Sequence, residues 1–293
     1  MSKAKALWEL TRLEHGLMLG IAVLVGALIA TKEFPTAWNF CFTFLTALLI
    51  EASTFALNDY YDYEIDKANN RTDRPLVRGE LTKRDALVVF AALFPLGILC
   101  SVFVNWTCFV IALASALLAV GYDAALKRVK LVGNFYIAYT MAVPFVFGAA
   151  SVLDGQGIDL NLSKPVLFVA AIAFLAGAGR EAMKDVQDME GDSKAGVRSF
   201  ATALGARAAC AVAACFFMAA VALAFVPFIA SGIGNYHSNI YYVLPVMVTD
   251  AMLAYTSANL LVSAHPRFKL HRRLTLAALF VGLVGFLAGA FLG

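Results

Sequence analysis

Residues 86–122 read ALVVFAALFPLGILCSVFVNWTCFVIALASALLAVGY, 37 consecutive positions without a charged side chain. A hydrocarbon core about 30 Å thick takes about 20 residues of helix to cross, so this run holds two spans. They divide at Asn105-Trp106, where the chain can turn. Worked outward by the same rule, the sequence gives nine helices, at about 15–31, 37–58, 86–104, 106–122, 133–152, 165–182, 208–230, 240–262 and 274–292. The run 208–249 also exceeds one span and folds back within the polar segment Ser231 to Asn239, while 37–58 is interrupted only by Glu51. The expected class is all-α, a polytopic membrane protein of nine transmembrane helices, one domain over 1–293, bundled around a central cavity open to the cytoplasmic side. The first apolar run has no small-x-small cleavage pattern and reads as a retained span.

Composition excludes the main alternatives. At 61% hydrophobic and 15% charged, with mean hydropathy +0.77, the chain is far from a soluble domain, in which about a quarter of residues are charged. A net charge of +3 and the lack of repetitive or Gly/Ser/Pro-rich tracts argue against disorder and against nucleic acid as a partner. The five cysteines, Cys41, Cys100, Cys108, Cys210 and Cys215, lie in apolar stretches with no CxxC pair, so they read as small buried hydrophobes.

The basic residues orient the spans. With the N-terminus cytoplasmic, 21 of the 23 Lys and Arg fall on inside segments and only Lys32 and Lys164 fall outside. That asymmetry is the positive-inside bias, and it places the C-terminus outside.

Acidic residues cluster as sharply. The second span ends Asn58-Asp59-Tyr-Tyr-Asp62-Tyr-Glu64-Ile-Asp66, and the sixth ends Arg180-Glu181-Ala-Met-Lys184-Asp185-Val-Gln-Asp188-Met-Glu190-Gly-Asp192. Both contain Asp-x2-Asp-x3-Asp. Offsets of three and four share a helix face, so Asp59, Asp62 and Asp66 form one stripe and Asp185, Asp188 and Asp192 another. A single such stripe reads as a solvated helix end; two with identical spacing, both on the inside, read as a site. Crowded carboxylates repel unless a cation sits among them. Hard oxygen ligands without His or Cys favour Mg²⁺ or Ca²⁺, and Mg²⁺ that keeps open positions can bridge carboxylates to a diphosphate. Arg71, Arg74 and Arg78 follow the first stripe, Lys194 and Arg198 the second, and Lys127 and Arg128 lie in the loop between them. Such cations suit a departing phosphate, although inside loops are basic in any membrane protein.

These residues resemble the UbiA superfamily of intramembrane prenyltransferases. Asn58, Asp59, Asp62 and Asp66 meet its NDxxDxxxD pattern, Asp73-Arg74-Pro75-Leu76 is similar to its DRP segment, Tyr122 with Lys127-Arg128 to its Tyr-x4-Lys-Arg, and Gly133-Asn134 to the opening of its fifth helix. The second motif, Arg180-Glu181 and Lys184-Asp185 running into Asp188-x-Glu190-Gly191-Asp192, is similar to that of digeranylgeranylglyceryl phosphate synthases, which form the second ether bond of archaeal lipids. Val77-Arg78-Gly79 stands where that group commonly has Pro-Ser-Gly, and Arg12-Leu13-Glu14-His15 where it has Arg-Pro-x-Asn. Both departures bear on the acceptor more than on the metal.

The resemblance implies Mg²⁺-dependent transfer of a polyprenyl group from its diphosphate to a lipid hydroxyl, with geranylgeranyl as donor group and geranylgeranylglyceryl phosphate as acceptor. It implies metal ligation by Asn58, Asp59, Asp62, Asp66, Asp185, Asp188 and Asp192, catalytic roles for Asp62, Asp188, Lys127 and Tyr122, and substrate contacts from Arg12, Arg71, Arg74, Arg78, Arg128, Asn134, Lys184, Lys194 and Arg198. Glu51 lies seven residues before Asn58, on the same face and inside the membrane, where a charge is functional by default. Two readings of it stay open: it orients an acceptor hydroxyl, or it hydrogen-bonds a neighbouring helix. Asp250 reads as structural. The alternatives are an aromatic or chlorin acceptor, and a cation-coupled transporter, which predicts acids near the bilayer midplane and interrupted helices there. The location is the cell membrane, with the site facing the cytoplasm.

Overall fold

A computed structural model describes residues 3–68, 70–153, 163–194 and 196–292, together with the backbone but not the side chain of Arg128. Among the described residues there is no strand. The α-helices are α1 (Lys3–Thr11), α2 (Leu13–Thr31), α3 (Ala37–Ala68), α4 (Lys83–Val102), α5 (Trp106–Ala124), α6 (Lys130–Ala150), α7 (Lys164–Lys194), α8 (Phe200–Leu204), α9 (Ala206–Ile229), α10 (Ile240–Val262) and α11 (Phe268–Phe291). Eight of them, α2 to α7, α9 and α11, are long and apolar enough to cross a membrane. The expected span 240–262 is present as α10 but, with Thr249, Asp250, Thr256, Ser257 and Asn259 along it, falls outside those eight. The chain is an integral membrane protein of the expected all-helical class.

Two compact units make up the fold. The first comprises Met1–Ala27, Glu33–Ala125 and Phe147–Asn161, the second Leu28–Lys32, Leu126–Val146 and Leu162–Gly293.

In the first unit, α3 is the central element. It packs on α4, α5 and α1, and it continues ten residues past the apolar span, so that the whole first acidic motif is helical. The loop after it is pinned by a small core in which Ala6 and Leu10 of α1 meet Ala56, Leu76, Leu81 and Ala86. Thr82 ends the loop with a capping box: its hydroxyl accepts from Asp85 N and the Asp85 carboxylate accepts from Thr82 N, which satisfies two otherwise unpaired amides. The fold-back expected at Asn105 has a plain cause. Its side chain accepts from Cys108 N at 2.8 Å and donates to Ala150 O at 2.8 Å, capping α5 and tying it to α6. Gly148 lets backbones touch, since a Cβ there would lie 1.8 Å from Val23 O.

In the second unit, α7, α9, α10 and α11 share a core containing Ala176, Met183, Phe217, Leu253, Leu260 and Ala278. The turn between α9 and α10 is fixed by buried tyrosines, Tyr236 donating to Phe286 O at 3.0 Å and Tyr242 to Ala224 O at 2.6 Å. Here too the acid-bearing helix runs on past its apolar part, α7 reaching Lys194.

Candidate active site

The chain breaks between α1 and α2 at Arg12, whose φ of 44° is left-handed. That kink presents the guanidinium over the Phe55 ring, 4.2 Å from its centre, and onto Asp59 Oδ1 at 2.5 Å. Asp59 is only 2% exposed. Arg74, from the pinned loop, approaches Asp59 at 3.4 Å and Asp66 at 3.7 Å, and Arg71 approaches Asp66 at 3.9 Å. Arginines thus tie down the first stripe at its two buried ends, while Asp62 between them is half-buried. Asp59 Oδ2 is buried with no hydrogen-bond partner. Asn58 donates to Asp123 Oδ1 at 2.8 Å. Asp123, itself buried, follows the half-buried Tyr122 at the end of α5 and was not singled out by the sequence patterns.

The loop's outer charges are engaged locally. Arg71 grips Asp73 through Nε and Nη2 at 2.9 and 2.8 Å, and this hydrogen-bonded guanidinium holds the Asp73 carboxyl below its usual range. Arg78 donates to Glu9, to Glu80 at 2.8 Å and to Thr72 O at 3.0 Å, and the Glu80 carboxyl is lowered in the same way. Glu51 is half-buried on α3.

The second stripe is organised around an ammonium. Lys130, the first residue of α6, places Nζ 2.7 and 3.0 Å from the two oxygens of Asp192, 3.7 Å from Asp188 and 3.9 Å from Asp185. A hydrogen bond from Leu131 N to Arg198 O at 3.3 Å holds this end of α6 against the segment after α7. Asp185 is fixed independently, its Oδ2 accepting from Asn134 Nδ2 at 2.6 Å and Phe200 N at 3.0 Å. Asn134, expected at the substrate, is 4% exposed and uses its amide on that carboxylate. Asp188 is the open member, with 41% of its side chain exposed against 12% for Asp192. Lys184 pairs with Glu181 at 3.3 Å and Lys194 with Glu190 at 2.7 Å, each on its own helix. The side chain of Arg198 is exposed and that of Lys127 half-buried, while the Arg128 side chain lies outside the described residues. Lys130 was missed as a site residue. It appeared only as one more inside charge, though it lies three residues past Lys127 and just before a span that opens Gly133-Asn134.

These donors suit a hard divalent cation. The second stripe already gathers three carboxylates around a cationic centre, and the first leaves a buried carboxylate oxygen without a partner. Among the described residues, no three His, Cys, Asp or Glu groups are drawn tight enough to hold a bare ion; an ammonium is looser than Mg²⁺, which demands oxygens at about 2.1 Å. Asp250 stands apart from both stripes. It is 5% exposed on α10, and neither oxygen is hydrogen-bonded.

Comparison with known proteins gives the family. The chain is similar to the digeranylgeranylglyceryl phosphate synthase of Archaeoglobus fulgidus, 43% identical over 289 residues, which cover 98% of this chain and 96% of the relative. Its fold is similar to a solved digeranylgeranylglyceryl phosphate synthase structure with a TM-score of 0.84 at 28% identity, covering 100% of both chains. It is also similar to that of a UbiA homologue from Archaeoglobus fulgidus bound to DMAPP and Mg²⁺, with a TM-score of 0.65 at 17% identity over 96% of this chain and 98% of the other. The UbiA prenyltransferase family matches residues 19–269, and the chain belongs to that family.

Proposed function

We propose that this protein transfers a geranylgeranyl group from its diphosphate to the free hydroxyl of geranylgeranylglyceryl phosphate, as a single nine-span domain over 1–293. In this reading it sits in the cell membrane with the N-terminus and both aspartate stripes on the cytoplasmic side and the C-terminus outside. The reading is supported by the similarity to the 43% identical relative and by the form of the second acidic motif. The observation that carries it is the convergence of Asp185, Asp188 and Asp192 on one cationic centre at the end of an apolar helix. A cation-coupled transporter predicts its acids near the bilayer midplane instead.

Asn58, Asp62 and Asp66, with Asp59 through its unpaired buried oxygen, would hold one Mg²⁺, and Asp185, Asp188 and Asp192 the other. Bound Mg²⁺ would supply Lewis-acid withdrawal of charge from the donor diphosphate. Lys127, Arg128, Arg71, Arg74, Lys184 and Lys194 are the cations proposed to hold the diphosphate as negative charge grows on it. Tyr122, beside the buried Asn58–Asp123 pair, is proposed to face the allylic carbon, where its ring stabilises positive charge. The C1–O bond to diphosphate breaks, the acceptor oxygen bonds C1, and the hydroxyl proton passes to the diphosphate as it leaves. Arg198, Arg78 and Arg12 are proposed for the acceptor phosphate, Arg12 while it stays on Asp59. Glu51 is proposed to orient the acceptor hydroxyl. An apolar setting keeps water from the allylic cation.

The test is an acceptor panel: purified protein, radiolabelled geranylgeranyl diphosphate, Mg²⁺, and either geranylgeranylglyceryl phosphate, an aromatic acid or a chlorin. The expected result is label transferred to the glyceryl phosphate with release of diphosphate. Preference for the aromatic or chlorin acceptor overturns the assignment, and so does solute counterflow in proteoliposomes without diphosphate release.

A further inference from the structure

We infer that Lys130 is a tethered stand-in for the divalent cation of the second stripe: its ammonium holds the three carboxylates together until the ion arrives, and is then displaced from Asp192 towards the diphosphate. The inference rests on the metal reading given above. Three geometric facts lead to it.

First, the charges are incomplete. Three carboxylates surround one ammonium within 3.9 Å, which leaves two negative charges, the complement of a divalent ion. Second, the ammonium sits where the ion must go. Lys130 takes both oxygens of Asp192 at 2.7 and 3.0 Å, whereas a Mg²⁺ ligand must approach its ion to about 2.1 Å. Because Lys130 spans both Asp192 oxygens, an ion on either oxygen would sit beside the ammonium, and repulsion between the two cations weakens that contact. Third, Lys130 is able to move. Its side chain is 26% exposed and ends in a point charge on a four-carbon stem, unlike a planar guanidinium locked by several directed hydrogen bonds. Asp185 does not depend on it, because Asn134 and Phe200 N hold that carboxylate in place. The ion would therefore find one fixed carboxylate and two that are kept near it by a removable counter-charge.

The test uses full-length protein in nanodiscs, without substrate. Mg²⁺ affinity is measured by calorimetry, and Mn²⁺ affinity by the free-ion EPR signal, for the wild type, Lys130→Met and Lys130→Arg. Losing a competing charge within 4 Å should tighten ion binding about tenfold in Lys130→Met. The same variant should melt lower than wild type without metal, and the gap should close at saturating Mg²⁺. Lys130→Arg, which keeps the charge, should bind the ion no more tightly than wild type. On unmodified protein, lysine acylation read by mass spectrometry should label Lys130 at least about twice as fast once Mg²⁺ is bound, with Lys184 and Lys194 unchanged, because a released amine loses its hydrogen-bonded carboxylate. Equal affinity in wild type and Lys130→Met, a melting gap that ignores Mg²⁺, or Lys130 labelling that ignores Mg²⁺ overturns the stand-in role while leaving the metal reading intact. Absence of ion binding in wild type and variants alike overturns both.

Discussion

The two aspartate stripes share a spacing and differ in how they are neutralised. In the first, Asp59 and Asp66 are buried against Arg12, Arg74 and Arg71, so its charges are matched by guanidinium groups held from three directions. In the second, one lysine serves all three carboxylates and a neutral amide, Asn134, supports the deepest of them. Arginine makes several directed bonds at once and is hard to displace, whereas lysine makes a looser, movable contact. The first stripe is therefore a braced element that fixes the loop after α3, and the second is an adjustable one. Repeated sequence spacing gives the same helical face twice without giving the same mechanics.

Activity offers the most drastic way to break the comparison. If both stripes ligate metal, Asp62→Ala and Asp188→Ala should each lower kcat about a thousandfold, or ~4 kcal/mol of barrier, with folding retained, because neither residue is the buried member of its stripe. Diphosphate release assays check this; near-normal turnover in either variant would remove that stripe from the reaction. Stability separates the stripes next. Arg12→Ala strands the buried Asp59 carboxylate with only Arg74 beside it, which should destabilise the protein by about 3 kcal/mol. Thermal melting should show the deficit with and without Mg²⁺, in contrast to Lys130→Met. A full recovery by Mg²⁺ would make the first stripe as adjustable as the second.

Asn134→Ala sharpens the comparison within the second stripe. It removes the 2.6 Å hydrogen bond that orients Asp185, and loss of a supporting partner weakens a metal site by about tenfold or more. The expected outcome is a higher Mg²⁺ requirement with kcat at saturating Mg²⁺ nearly unchanged. A fall in kcat alone would place Asn134 at the substrate instead, as the sequence resemblance implies.

Both stripes could be read from the sequence because helical periodicity needs nothing beyond the spacing of Asp59, Asp62 and Asp66 or of Asp185, Asp188 and Asp192. The fold-back at Asn105 was readable for a similar reason, since the capping residue acts within three positions of itself. The ends of α3 and α7 were not. Span rules stop where apolar residues stop, while these helices continue past that point on ion pairs and hydrogen bonds. Short α1 was missed as well, because its helical state rests on docking Ala6 and Leu10 against Leu76 and Leu81, contacts distant in sequence. The same limit hid Lys130 and the internal partners of Arg12 and Arg78. A basic inside loop looks alike whether its charges meet lipid, substrate or buried carboxylates.

The smallest effect concerns the outer rim of the first stripe and is read through pH. Asp73 accepts both hydrogen bonds of Arg71, and its carboxyl is held below the ordinary value of 3.8. A carboxyl lowered in the folded state stabilises the protein above its unfolded pKa, and that contribution disappears as pH falls through the folded value. Asp73→Asn should therefore melt slightly below wild type at pH 7 and converge with it as pH falls below the ordinary carboxyl value of 3.8 and through the lowered folded one. Asp73 is 58% exposed, so solvent screening limits the difference to about 0.5 kcal/mol, and raised salt should shrink it further. The same pH scan on Arg12→Ala should see its deficit begin to close at a higher pH than that of Asp73→Asn, because a proton on the stranded, buried Asp59 carboxylate removes the uncompensated charge. Parallel curves for Asp73→Asn and Arg12→Ala would mean that the rim and the buried end of the stripe titrate as one unit, and the braced character assigned to Asp59 would then belong to the whole loop.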